Sequence, residues 1–138
     1  MGTWSAEPVG NDSAADFVGD LEDERGWSVV QAALTAATDA GPEIDSDVAE
    51  LALAAAEVVA HGVGRPTQDD AYTASIAQFV ERAGKPDETL VSLAAQAVTA
   101  AGSPDGELAE LWDDAGSDDL TEWRESITRL TASLSADQ

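Results

Sequence analysis

The chain has 138 residues, 43% of them hydrophobic and 25% charged, with 28 acids against 6 bases and a formal net charge of -22. That balance excludes a binder of phosphate backbones and repels anionic lipid, so neither nucleic acid nor a membrane surface is an expected partner. Cysteine is absent and histidine occurs once, which excludes disulfides, thiolate metal centres, cysteine nucleophiles and multi-histidine sites within one chain, so no cofactor and no metal ligand is assigned. The length suits one α-helical domain over 1–138 with a single layer-packed core, in which 1–10 form an N-terminal arm. Trp4 stands in that polar, non-periodic start as the arm's anchor.

Asn11 or Asp12 is placed to cap a first helix with Ala14, Phe17, Val18 and Leu21 on its apolar side. A second helix aligns Trp27, Val30, Leu34 and Ala37 and breaks at Gly41-Pro42. A third starts near Asp45, carries Val48, Leu51, Ala55, Val58 and Val59 inward, and ends at Gly62 and Gly64 before Pro66. Thr67 or Asp69 starts the fourth, with Tyr72, Ile76, Phe79, Val80 and Ala83 facing in and Gly84 ending it. Pro86 suits the first turn of a fifth helix bearing Leu90, Leu93, Ala94, Ala97, Val98 and Ala101. Ser103-Pro104 reads as a cap and first-turn proline for a short sixth helix with Leu108, Leu111, Trp112 and Ala115 inward. The last helix has the cleanest stripe, Leu120, Trp123, Ile127, Leu130 and Leu134, with Asp119 and Glu122 as a capping pair. There is no sustained alternation of period two, and alanine, the best helix former, is abundant. The expected fold is all-α, a compact bundle of about seven short helices.

Met1-Gly2-Thr3-Trp4, Asn11-Asp12 and Ala15-Asp16-Phe17 resemble the opening of a bacterial family of small uncharacterised proteins, domain of unknown function 4259. The resemblance continues through 54–60, Gly64-Arg65-Pro66, 107–112 and Glu122-Trp123-Arg124, so it spans nearly the whole chain. Ser5 and Val9 depart from the family pattern, which usually has Gly after the Trp and an aromatic residue in place of Val9. The resemblance supports the helical fold and brings no activity with it.

Residues 1–20 lack the basic start and apolar stretch of a secretory signal, and Ala6 stands where a myristoylation motif needs Ser or Thr. The longest apolar run without charge, Leu51–Ala56, is far too short for a membrane span. A cytoplasmic protein is the expectation.

Seven residues stand out as ligand-binding candidates: Trp4, Asn11, Asp12, Asp16, Glu57, His61 and Arg65. Asp12 and Asp16 share one helix face, where an acid near the helix start is favoured by the dipole and needs no ligand. Asp16 is also placed to accept from the Trp4 indole or from amides of the arm. Glu57 is the sole charge between Leu51 and Ala60 and has His61 four residues on. That spacing is the minimum of a general-base pair, yet no nucleophile motif or phosphate loop accompanies it, and no catalytic residue is assigned. A buried Glu57 instead needs donors, and the candidates are Arg65, the Trp4 indole and the amides of the arm, a clasp that would tie the N-terminus to the bundle. Arg65 reads equally as an ion-pair partner of Glu57, Asp69 or Asp70. Charge and the scarcity of catalytic residues point to a non-enzymatic acidic interaction protein, an adaptor or an inhibitor of a basic protein partner. The alternative is a small-ligand or metal-assisted enzyme with a site near Asp12, Asp16, Glu57 and His61.

Overall fold

The Asn11 side chain accepts a hydrogen bond from the Ala14 amide at 2.8 Å and so satisfies one of the free N–H groups that open α1 (Asp12–Asp20). Asp45 does the same for the Asp47 amide at the head of α3 (Ser46–Gly62), and Asp87 for the Leu90 amide at the head of α5 (Glu88–Ala101). The remaining helices are α2 (Ser28–Thr38), α4 (Ala74–Ala83), α6 (Glu107–Ala115) and α7 (Ser117–Ser135), with 3-10 turns at Leu21–Asp23 and Ala71–Thr73. This computed structural model describes residues 5–135, apart from the Tyr72 side chain. Among them there are seven α-helices and no strand, and none of the helices is long and apolar enough to cross a membrane.

The helix α3 is the axis of the fold. It packs on α5 and α2, which also pack on each other; α1 and α4 lie against it on one side, α6 and α7 on another. From Ala52 to Ala60 every residue of α3 is buried. The inward stripe predicted for this helix is therefore only part of its buried surface, and Val48 and Leu51 in that stripe are only half-buried. A helix surrounded by neighbours has no solvent face, and its alanines let those neighbours approach closely. Gly62 shows how closely: a Cβ there would lie 2.7 Å from the Pro86 ring and 3.1 Å from the Trp27 indole.

Four helix starts differ from the sequence expectation. The fourth helix begins at Ala74, because 63–70 form a loop whose polar groups are engaged elsewhere. Pro86 precedes the Asp87 cap of α5 instead of opening its first turn. The sixth helix begins at Glu107 behind Gly106, since the Ser103 hydroxyl donates to the Pro42 carbonyl at 2.7 Å. Asp119 and Glu122 lie inside α7, which starts at Ser117. Of the tryptophans expected in the core, Trp123 is buried, while Trp27 and Trp112 are half-buried against it. The Trp27 indole meets Phe79 edge-on at 5.0 Å and donates to the Gly84 carbonyl at 3.1 Å, closing the corner between α2 and α4. Leu111 and Ala115, expected inward, are exposed; α6 rests on α7 and α3 through Leu108 and Ala109.

Candidate functional site

A carboxylate in the middle of an alanine-rich, fully buried stretch of helix must be matched by donors, because removing a charge from water costs several kcal/mol. Glu57 has no solvent exposure. Its Oε2 accepts from the amides of Thr67 and Gln68, each at 2.9 Å, and its Oε1 accepts from the Thr67 hydroxyl at 2.5 Å. One helical turn on, His61 places Nε2 3.1 Å from Glu57 Oε2 and 3.0 Å from the Gln68 carbonyl oxygen. Both neighbours are acceptors, so the network assigns the proton to Nε2. Charge-assisted bonds of this kind are roughly twice as strong as neutral ones. The result is a loop, 63–70, strapped to the C-terminal half of α3.

Gln68 carries the strap onward. Its Oε1 accepts from the Val9 amide at 2.8 Å, and its Nε2 donates to the Val9 carbonyl at 2.9 Å and to Asp70 Oδ2 at 3.0 Å. The side-chain amide thus uses its acceptor and both donor hydrogens, and Val9 has its own backbone pair satisfied by one residue. Thr73, also buried, accepts from the Asp70 amide at 3.1 Å through its hydroxyl, which points toward the Asp70 and Gln68 carbonyls. The arm itself turns tightly, with the Ser5 amide donating to the Gly10 carbonyl at 3.1 Å. A Cβ on Gly10 would sit 2.6 Å from the Ser5 carbonyl oxygen, so this turn admits only glycine without a shift of backbone.

Of the seven candidates, the structure brings Glu57 and His61 together. Asn11 is buried as the cap of α1. Asp12 and Asp16 are exposed on α1, and neither carboxylate is among the partners of Glu57, Thr67, Gln68 or His61 in the described residues. Arg65 is exposed, and its backbone carbonyl accepts from the Ser133 hydroxyl of α7. Trp4 lies outside the described residues, and with it the anchoring of the arm by its indole. Among the described residues the donors on Glu57 are those of Thr67, Gln68 and His61; the described part of the arm is joined to it through Gln68, which sequence reasoning did not single out. Among the described residues no group of three His, Asp or Glu side chains is arranged to hold a metal ion.

Glu7 is a second residue the sequence did not mark. One of its carboxylate oxygens, Oε2, is buried with no hydrogen-bond partner among the described residues. Burial pushes its pKa up; Arg129 opposes this, and the charges of Asp70, Glu57 and Glu122 add to it. Two turns before Glu57 on α3, burial likewise raises Glu50, helped by Asp47. Glu107 goes the other way, held below the usual carboxylate range by the hydrogen bond from the Ser46 amide at 2.9 Å.

The clasp joins residues from the arm, α3 and the 63–70 loop, and one family profile covers all of them: a domain of unknown function, DUF4259, matches residues 2–126. The chain belongs to this family. The DUF4259 match takes in α1 to α6 and ends within α7, after Trp123. Nothing among curated proteins or solved structures matches the chain.

Proposed function

We propose that this DUF4259 member is a non-enzymatic, cytoplasmic interaction protein that docks a basic protein partner as an adaptor or inhibitor. The observation that carries the reading is the distribution of charge. Among the described residues Glu57 is the sole buried acid, so nearly all of the negative charge faces outward. The scarce bases do little to offset it. Arg82 donates to the carbonyls of Leu21 and Glu24 at 2.7 and 3.0 Å, and Arg124 to that of Gly102 at 3.2 Å. A net charge of -22 on so small a body attracts a cationic protein over several ångströms and speeds its approach. The same field disfavours nucleic acid and anionic lipid. At the residues with the most suggestive sequence spacing, the Glu57 carboxylate faces donors of its own chain and no open surface, which favours binding by the exterior over chemistry in an interior site.

The test is to cross-link the tagged full chain in cells, identify the partner, and reconstitute the pair from purified proteins. The expected partner carries net positive charge, and its affinity falls by about tenfold or more between low and physiological salt. A neutral or acidic partner with salt-independent affinity overturns the proposal.

A further inference from the structure

Leu111 is 52% exposed and is the one large hydrophobic side chain in that condition among the described residues. It lies on α6, one turn after Glu107 and one turn before Asp114 and Ala115, so these share its face. Beside it the half-buried Trp112 stacks on Trp123 of α7 with ring centres 6.5 Å apart and an 11° tilt. The stack holds the Trp112 indole against α7, at the residue next to Leu111 in the chain. Around this apolar centre the chain carries Glu107, Glu110, Asp113, Asp114, Asp118 and Asp119, all exposed, and no base from 107 to 119. A scattered surface leucine needs no explanation. Here the uncovered leucine, the stacked indole and a run of six exposed acids without a base fall together on α6 and the first turn of α7.

We infer that the α6 corner is the docking surface for the basic partner, and that the partner presents an apolar side chain flanked by lysines or arginines. The inference rests on the proposed basic-partner function and gives it a place. A second copy of this chain is a poor occupant, since its own acids would face these. A cationic segment answers both features: its charges meet the carboxylates at the rim, and its apolar side chain covers Leu111 and the Trp112 edge, as anchor residues do at the centre of interfaces.

The experiment uses the full chain and two synthetic peptides of equal positive charge, one amphipathic and built of leucine and lysine, the other with serine in place of leucine. Amide shifts in two-dimensional NMR locate the binding, and titration gives the affinities. The leucine peptide is expected to bind about tenfold tighter than the serine peptide and to shift the amides of α6. Leu111→Ser should remove that advantage while leaving the serine peptide unaffected. Asp113→Asn with Asp114→Asn should weaken the leucine peptide more than the equal charge loss of Asp16→Asn with Asp20→Asn on α1. If both peptides bind alike and shifts spread over the whole surface, the α6 corner is wrong while the basic-partner reading stands. If neither peptide binds at low salt, both fail. If the wild-type chain sediments as a dimer that Leu111→Ser dissociates, a second copy covers the corner and the inference is overturned.

Discussion

Two regions of this molecule invert the usual placement of side chains. At the centre, α3 hides a carboxylate completely; at the α6 corner a leucine stands in water. The buried acid is matched by the amides and hydroxyl of 67–68 and by His61, so its charge organises the backbone around it. The exposed leucine has no such internal counterpart. The difference teaches how to tell a structural exception from an available surface. A polar group in the wrong place that has every partner within its own chain is holding the fold. An apolar group in the wrong place that lacks cover is open to something else.

The largest expected effect breaks the first half of that comparison. Glu57→Ala leaves the Thr67 and Gln68 amides without their acceptor and is expected to cost about 3–5 kcal/mol in urea unfolding. Glu57→Gln keeps the shape and one acceptor and should cost about 1–3 kcal/mol. A loss well under 1 kcal/mol for the alanine variant would mean that the loop finds other partners.

Next comes Gln68→Ala, which removes both bonds to Val9 and should cost about 2–3 kcal/mol while freeing the arm to proteolysis. Combined with Glu57→Gln, the two losses should fall short of their sum, because both act through the same loop. Strict additivity in a double-mutant cycle would separate the arm from the buried acid.

A smaller effect concerns pH. Glu7 and Glu50 have raised pKa values in the fold, so the native state binds protons more tightly than the unfolded chain does. Their ionisation weakens the fold as pH rises from the ordinary carboxylate range through the raised values. Glu7→Gln and Glu50→Gln should therefore raise the melting temperature at neutral pH and lose that gain at acid pH. Glu107 contributes with the opposite sign: its stabilisation is present above the ordinary carboxylate value and is lost as pH falls through its lowered one. Melting curves across pH that show the Gln variants gaining most in acid would contradict the burial of Glu7 and Glu50.

The smallest effect sharpens the second half of the comparison. Leu111→Ser should change stability by less than about 0.5 kcal/mol, since an exposed side chain holds little of the core together. A loss above about 2 kcal/mol would show that Leu111 is packed, and the contrast between the two regions would disappear.

Much of this architecture is readable in the sequence, for definite reasons. The seven helices follow from apolar spacing and from the glycines and prolines between them, and the caps at Asn11 and Asp45 follow from short polar side chains placed just before apolar runs. What the sequence does not show is orientation. Alanine is small enough to lie on any face, so spacing alone cannot reveal that α3 is enclosed from Ala52 to Ala60. Leu111 fits the inward stripe of its helix, and only the contacts of α6 with α7 and α3 turn it outward. Glu57 was legible because it is a lone charge in an apolar run. Its link to the arm was not, because Gln68 and Val9 are 59 residues apart and neither is unusual in its own neighbourhood.

The Gln68–Val9 pairing has a consequence for hydrogen exchange. A side-chain amide that takes both polar groups of one residue imitates a single rung of a β-ladder, set in a segment with no strand. The amide hydrogens of Val9, Thr67 and Gln68 have their acceptors in one connected network. They should therefore exchange with deuterium as a unit, at one common opening free energy, although one belongs to the arm and two to a loop.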